Sequence, residues 1–501
     1  METGGICVPV CAATVSDLVE KIEAAASLAD FVEVRFDCLD KSAVLEALDS
    51  LPEIEKTYIF TYRPREQGGA QSLNLHERHS FWERIADNPP AADFLADIEL
   101  GAEFPVKIAP DRKISSIHDF SGQAAELDAS LFQSAARVVK IAVAVDDAAD
   151  AIDVWRLLEK ANAVGKSVIP IAMGEAGKWT RILGPAHGAF LTFASLFPAE
   201  ATAPGQVTAG EMIETFRVRD LSSETRVYGI LAGDTSYSMS PYIHNPAFRE
   251  AGVDSVFVPF QTKDLAAFMR RMVRSETREA ELTFHGFSVT NPHKQAVLEF
   301  LDETDDAARA IGAVNTIKIE DGRLFGFNTD CEGFIRPLRE RSGDLNGARA
   351  AVIGGGGAAR ACIYALNREG AAVSAFTRNP EQSAKLAADF GIKNLTFDGL
   401  KGMSGFDILV NATPLGTRGE NENSSVSDSF PLDGVKLVYD LIYNPAETKL
   451  LKAAQAAGVD TLGGLEMLLG QAVEQFKIWT GREAPAEAMR RAVLDRLLLY
   501  Q

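Results

Sequence analysis

The sequence predicts an α/β protein built as an N-terminal (β/α)8 TIM barrel followed by two further α/β units. Three observations predict it. Eight short β-rich runs alternate with amphipathic stretches over about the first 220 residues. The alternation then restarts after a polar segment, 220–225 (DLSSET). Farther on, a run of four glycines, Gly354 to Gly357, joins an apolar strand pattern to a helix pattern.

The barrel runs are 6–10, 31–36, 57–62, 95–100, 112–117, 137–143, 168–172 and 189–193, with helix-like segments at 15–29, 41–50, 74–87, 147–163 and 176–183. Only eleven residues separate the fourth and fifth runs, too few for a full crossover helix, so an abbreviated connection is expected there. Ala203-Pro-Gly-Gln206 and a helix-like run to Arg219 close the barrel, and 220–225 serves as a linker. A strand at 226–232 opens a smaller α/β unit that continues to about residue 330. A Pro-interrupted helix at 331–342 leads into the glycine-rich unit at 349–460, and helices at 465–479 and 484–499 finish the chain. The expected domains are therefore 1–221, 226–335 completed by 465–501, and 336–464.

The composition, 46% hydrophobic and 24% charged, is that of a water-soluble globular chain, and no apolar run approaches the length of a membrane span. The N-terminus carries neither a signal-peptide nor a transit-peptide pattern, so a cytoplasmic location is expected. Fifty basic against 70 acidic residues give a net charge of −20, which argues against a nucleic-acid partner. Small anionic substrates stay open, because a few arginines dominate at short range. The five cysteines, Cys7, Cys11, Cys38, Cys331 and Cys362, read as reduced thiols. Neither the Cys7/Cys11 pair nor the His76/His79 pair has metal-ligand spacing, and no metal is expected.

Chemistry in such a barrel gathers at the C-terminal ends of the strands. Those ends supply Glu33, Arg35, Arg63, Asp97, Glu99, His118, Lys140 and Met173, with Arg181 after the seventh strand. Lys140 interrupts an apolar strand, where burial and the cations Arg35, Arg63 and Arg181 are expected to lower its pKa toward neutrality. A neutral amine can attack a ketone and form an iminium that withdraws electrons. The bland reading is a lysine snorkelling from a strand end. His118 suits proton transfer beside it, and Glu99 is expected to orient the imidazole.

Downstream, Gly354, Gly356, Gly357 and Ala358 open a helix after a strand, the arrangement that lets a pyrophosphate approach backbone N–H groups in a Rossmann unit. The next strand ends Thr377-Arg378-Asn379; Arg378 suits the 2′-phosphate of NADP where an acidic residue would suit NAD. Asn411 and Thr413 follow another apolar strand and are placed beside the nicotinamide. Polar clusters at Ser238/Ser240, Thr290/Lys294, Asn315 and Asp330 supply the groups a polyhydroxylated acid needs, although each alone also reads as a cap or turn. Gln471 and Gln475 share one helix face.

These motifs carry two resemblances. Residues 5–220 resemble type I 3-dehydroquinate dehydratases through Glu33-x-Arg35-x-Asp37, Arg63, His118-Asp-Phe, Val-Lys140-Ile-Ala, Met173 with Arg181, and Ala-Pro-Gly-Gln206. The resemblance implies a Schiff base on Lys140, proton shuttling by His118, carboxylate binding by Arg181, hydroxyl contacts from Glu33, Arg35 and Arg63, and a closing loop with Gln206. Thr202 stands where that family often has serine. Residues 226–501 resemble shikimate dehydrogenases, including the ending Gly464-Leu-Glu-Met467…Gln471…Gln475. This implies NADPH as cofactor, Lys294 and Asp330 as the catalytic pair, Ser238 and Ser240 on the substrate carboxylate, and Thr290, Asn315, Asp330 and Gln475 on its hydroxyls. Tyr443 is expected to close the site. Gln382 occupies the place of a second arginine, which predicts a softer NADP preference. The implied small molecules are 3-dehydroquinate, 3-dehydroshikimate and shikimate. A quinate-directed second half, a non-catalytic sensor and a Schiff-base aldolase are the competing readings; the presence of Lys140, His118, Lys294 and Asp330 counts against the sensor, and the arginines around Lys140 count against the aldolase.

Overall fold

The computed structural model describes residues 4–101, 107–122, 133–396, 405–419, 421–426 and 431–498. By internal contacts the chain divides into two units. One comprises Met1–Gly229, Asp234–Tyr237 and Asp254–Phe284, and the other Ile230–Gly233, Ser238–Val253 and His285–Gln501. Among the described residues no helix is long and apolar enough to cross a membrane.

Eight strands form the first sheet: β1 (Gly5–Val10), β2 (Phe31–Arg35), β3 (Thr57–Thr61), β4 (Phe94–Glu99), β5 (Lys113–Asp119), β6 (Val138–Ala144), β7 (Ser167–Met173) and β8 (Leu191–Phe193). Their order is β7-β6-β5-β4-β3-β2-β1-β8, and Phe190 N donates to Val168 O at 2.8 Å to bring the two outer strands together. Strand side chains alternate with period two, which explains how the barrel is both stable and reactive. At the starts of the strands Ile59, Leu95, Ile114, Val138, Ile169 and Leu191 share one buried apolar cluster. Two residues later on the same faces stand Thr61, Asp97, Ser116 and Lys140, and two later again Arg63, Glu99 and His118. The β4–β5 connection is short, as its length predicts, and a 3₁₀ turn at Pro110–Arg112 leads into β5; residues 102–106 lie outside the described set.

Cys11 and Cys38 form a disulfide, which corrects the expectation of five free thiols; Cys7, Cys331 and Cys362 are free. The register explains the pairing. Val10 of β1 lies opposite Val34 of β2, so residues just beyond neighbouring strand ends meet although they are 27 apart in sequence.

The second sheet contains β9 (Arg226–Ala232), β10 (Ser255–Gln261), β11 (Phe284–Val289), β12 (Glu303–Thr304), β13 (Thr316–Glu320) and β14 (Arg323–Phe327), ordered β10-β9-β11-β13-β14-β12. It is mixed: β13 runs antiparallel to both β11 and β14. The third sheet comprises β15 (Arg349–Ile353), β16 (Ala372–Thr377), β17 (Lys393–Thr396), β18 (Ile408–Asn411), β19 (Leu437–Asp440) and β20 (Asp460–Gly463). Its strand pairs among the described residues are all parallel and its order is β17-β16-β15-β18-β19-β20, the Rossmann arrangement, with the strand direction of travel reversing between β15 and β18.

Helices Asp330–Ser342 and Gly464–Thr480 cross closely because glycines face each other. A Cβ on Gly470 would lie 2.9 Å from Gly333 Cα, and one on Gly333 would lie 2.6 Å from Gln471 N. That contact brings the Gln471 turn beside Asp330. The last helix is Ala486–Leu498, and the expected end at residue 499 lies outside the described residues.

Candidate active sites

The mouth of the barrel encloses about 540 Å³, lined among others by Glu33, Arg35, Arg63, Gln67, His118, Lys140, Met173, Arg181, Phe193, Thr202 and Gln206. Lys140 is 4% exposed. Its Nζ donates to Asp97 Oδ2 at 3.0 Å, stands 3.8 Å from Glu33 Oε1, and lies 4.1 Å from the centre of the Phe193 ring. This corrects the expected setting of the amine. The arginines do not govern it, because Arg35 is forked onto Asp37 (2.9 and 2.7 Å) and Arg63 is paired with Asp97 (2.6 Å). The nearest charges to Nζ are carboxylates.

His118 Nε2 lies 3.0 Å from Arg63 Nη1. A guanidinium only donates, so Nε2 accepts and the ring proton sits on Nδ1. Burial, reinforced by the charges of Arg63 and Lys140, pushes this imidazole well below its usual range, so it is neutral and able to accept a proton at neutral pH. Glu99, expected to orient His118, instead takes a charged hydrogen bond from Arg78 on the helix Leu75–Asp87. The backbone N–H of His118 points to Gln67 Oε1 at 3.4 Å.

Arg181 is unlike the other arginines. It is 1% exposed, its Nη2 reaches only Pro204 O at 3.5 Å, and Nε and Nη1 have no hydrogen-bond partner among the described residues. Burial without a counter-charge lowers its pKa to about 10. A bare buried cation lining a cavity calls for an anion. Thr202 and Gln206 bond each other across the loop above it, Thr202 N to Oε1 at 2.8 Å and Nε2 to Thr202 Oγ1 at 3.2 Å.

In the second unit, Lys294 Nζ donates to Asp330 Oδ2 at 2.5 Å. Asp330 Oδ1 accepts from Asn315 Nδ2 at 2.8 Å, and Asn315 Oδ1 in turn accepts from Thr329 N at 2.8 Å. Asn315 is thus committed to holding Asp330 at the start of its helix. Ser240 opens the helix Ser240–Glu250, and its N–H donates to Ser238 Oγ at 3.2 Å, so both hydroxyls sit at a helix N-terminus suited to an anion. Thr290 directly follows β11, and Tyr443, half-buried, follows β19. Gln475 departs from the expectation that it holds a substrate hydroxyl. It is 1% exposed, its Nε2 donates to Asn315 O (3.2 Å) and Thr316 Oγ1 (3.1 Å), and its Oε1 takes Ser288 Oγ (3.0 Å) and His244 Nε2 (3.1 Å). All four of its hydrogen-bond positions are filled. Gln471, one turn earlier, is half-buried with its Nε2 on Leu468 O at 2.9 Å.

The third sheet carries a groove of about 830 Å³ at its topological switch, lined by Gly354, Gly355, Gly356, Thr377, Arg378, Gln382, Thr413 and neighbours. Gly354 has φ +124°, and a Cβ there would meet Ala412 O at 2.7 Å. Gly357 and Ala358 begin the helix Gly357–Arg368; a Cβ on Gly357 would meet Lys294 Cδ at 2.9 Å, so the glycine leaves room for the lysine. Arg378 is exposed on the rim, with no hydrogen-bond or ion-pair partner among the described residues. Gln382 donates to Gly355 O at 2.9 Å, bracing the glycine loop. These residues fit a dinucleotide carrying an extra phosphate. Asn411 is corrected: it is fully buried and its amide bonds Asp440 Oδ1 (2.9 Å) and Leu415 O (3.1 Å) while its oxygen holds Thr413. Met467 packs into the apolar core of this unit, and a Cβ on Gly464 would meet Leu441 O at 2.1 Å, so both shape the helix start.

Sequence reasoning named Asp97 at a strand end without a role and expected Glu99 to orient His118. The signal that separates them is depth: Asp97 aligns with Thr61 one step inside the rim. Phe193 and Gln67 were missed, the first looking like core and the second like a loop residue.

The chain matches the type I 3-dehydroquinase family over residues 6–223, the shikimate dehydrogenase substrate binding domain over 230–317, and the shikimate 5′-dehydrogenase C-terminal domain over 464–494. It is 34% identical over 514 residues to the chloroplastic bifunctional 3-dehydroquinate dehydratase/shikimate dehydrogenase of Arabidopsis thaliana, covering 96% of this chain and 83% of that one. The shikimate dehydrogenase (NADP(+)) of Methanothermobacter thermautotrophicus is 38% identical over 294 residues, 56% of this chain and 99% of that protein. A crystal structure of shikimate dehydrogenase from Aquifex aeolicus aligns over 55% of this chain and 99% of its own, at 34% identity and a TM-score of 0.48. With relatedness extending along nearly its whole length, the chain belongs to the family of bifunctional 3-dehydroquinate dehydratase/shikimate dehydrogenases.

Proposed function

We propose that the chain converts 3-dehydroquinate to shikimate in two steps, dehydration in the barrel and NADPH-dependent reduction downstream. The reading assigns residues 1–221 to the first step, 226–335 with 465–501 to binding the second substrate, and 336–464 to the dinucleotide. The observation that carries it is the pairing, in one cavity, of a buried amine at Lys140 with the uncompensated guanidinium of Arg181.

In the barrel, Arg181 takes the substrate carboxylate and so presents the ketone to Lys140. The amine adds to the carbonyl carbon and water leaves, giving an iminium on Nζ. Neutral His118 removes the proton from the adjacent carbon; the electrons pass toward the iminium, then return to expel the β-hydroxyl, which leaves as water with the proton from His118. Hydrolysis of the iminium restores Lys140 and releases 3-dehydroshikimate. Thr202 and Gln206 close the loop over the cavity.

In the second site NADPH, when bound, supplies a hydride to the ketone carbon. Lys294 delivers a proton to the developing alkoxide, and Asp330, fixed by Asn315, holds the ammonium in line. Ser238 and Ser240 receive the carboxylate, Thr290 and Gln471 the ring hydroxyls, and Arg378 the extra phosphate of the cofactor. Gln382, already tied to Gly355, adds no second cation, which points to a moderate rather than strict choice of NADPH.

Purified chain is incubated with 3-dehydroquinate and either NADPH or NADH, and the product is identified. Shikimate, formed faster with NADPH, is expected; accumulation of 3-dehydroshikimate, or no turnover, refutes the two-step reading.

A further inference from the structure

Asp97 occupies the junction of the barrel's charged groups. Its side chain is buried, and its Oδ2 accepts both from Lys140 Nζ at 3.0 Å and from Arg63 Nη2 at 2.6 Å. Arg63 passes its other terminal nitrogen to His118 Nε2 at 3.0 Å. One carboxylate oxygen therefore connects the amine that condenses to the imidazole that moves protons. Burial alone would favour the neutral acid, but the charges of Arg63 and Lys140 outweigh it and hold Asp97 ionised far below the usual carboxylate range.

The chemistry of the amine gives this contact a purpose. Once Nζ has bonded the substrate carbon and water has left, the nitrogen keeps a single N–H and a full positive charge. That N–H needs an acceptor and the charge needs a partner, in a cavity that offers little solvent. Glu33 Oε1 is farther off, at 3.8 Å, and already accepts from Thr61 Oγ1 at 2.7 Å.

We propose that Asp97 is the counter-ion of the barrel reaction, pairing with the Lys140 ammonium before substrate arrives and accepting the iminium N–H after condensation. It touches the reacting nitrogen in both states and keeps positive charge there while His118 takes the neighbouring proton. The assignment rests on the Schiff-base reading of Lys140 given above.

The test is Asp97→Asn in the full chain, which removes the charge and preserves the shape. Three readouts are followed: dehydration kcat, the pH profile of kcat/KM, and the fraction of chain trapped by borohydride with 3-dehydroquinate. The expected result is a kcat loss of about 100-fold or more and a smaller trapped fraction. The acid limb of the profile also moves to lower pH, since the anion that raises the pKa of the His118 imidazole is gone. Asp97→Glu restores the limb even if its rate stays low. A role confined to bracing Arg63 raises KM and leaves kcat and the trapped fraction as in the parent, and that outcome overturns the proposal, as does a kcat within about threefold of the parent. If the asparagine variant's barrel does not fold, judged by protease resistance, the glutamate variant decides: a displaced acid limb there overturns the assignment. Failure of the unaltered chain to be trapped at all sinks the Schiff-base reading instead, so the two failures are distinguishable.

Discussion

Replacing Arg181 with methionine separates binding from stability in a way few barrel substitutions do. The guanidinium is 1% exposed and its Nε and Nη1 are unpartnered among the described residues. Burial lowers its pKa from the ordinary 12.5 to about 10, which at about 1.4 kcal/mol per pH unit is about 3 kcal/mol. A base whose folded-state pKa lies below its unfolded value holds its proton less firmly when folded. The charged side chain therefore destabilises the fold fully below about pH 10, and the penalty fades only as pH rises toward 12.5. Methionine fills similar volume without a charge, so Arg181→Met is expected to stabilise the barrel by up to about 3 kcal/mol at neutral pH, raising its melting temperature by roughly 6–12 °C. The same change removes the carboxylate's partner and should lower dehydratase kcat/KM by at least about 30-fold, with 3-dehydroshikimate reduction unchanged. Calorimetry and steady-state kinetics on the parent and the variant settle it. A variant that melts lower and binds substrate as well as the parent refutes both the uncompensated charge and its assignment to the carboxylate.

Other expectations are more direct. Lys140→Ala should abolish dehydration and borohydride trapping while leaving 3-dehydroshikimate reduction intact; surviving dehydration would remove the iminium from the scheme. Lys294→Ala should depress the reduction rate far more than substrate affinity, and a loss confined to KM would make it a binding residue. Arg378→Ala should raise the KM for NADPH about 10- to 100-fold and leave that for NADH nearly unchanged, whereas equal effects on both would place the 2′-phosphate elsewhere. Reducing the Cys11–Cys38 bond, or replacing both residues with serine, should destabilise the barrel by about 3.5 kcal/mol, the loop-closure value for a 27-residue separation, measurable as a lower denaturation midpoint.

The strands were legible because their alternation is strict: the apolar residues Ile59, Leu95, Ile114 and Val138 repeat two places before Thr61, Asp97, Ser116 and Lys140. The strand ends named the cavity, and all the barrel residues expected there except Asp97 and Glu99 line it. What a linear reading could not resolve was depth and partnership. Asp97 and Glu99 share a face, yet the first meets Lys140 and the second is claimed by Arg78 from a helix. Gln471 and Gln475 also share a face, and one turn of helix carries the second among His244, Ser288 and Thr316, where nothing of its amide is left for a ligand. Asn411 reads as a groove residue because it ends a strand, but its side chain turns to Asp440 of the next one. Such choices depend on long-range packing. The disulfide belongs to the same class, since only the β1–β2 register brings its two cysteines together.

The charge pattern of the barrel also explains how an acidic protein can accept an acidic substrate. A net charge of −20 repels anions at long range, but that field is screened beyond about 8 Å in physiological salt. Within the cavity the arginines are unequal: Arg35 is matched by Asp37 and Arg63 by Asp97, while Arg181 is left unmatched. Matched cations are rigid donors with little net attraction; the unmatched one is the strongest local magnet for a carboxylate. Orientation then follows from electrostatics alone. On the proposed reading a substrate whose carboxylate seats on Arg181 presents its ketone to Lys140, and the reverse orientation would set the carboxylate against Asp97 and Glu33. On the proposed reading the second site orders the same acid differently, with the hydroxyls of Ser238 and Ser240 at a helix start in place of a buried arginine.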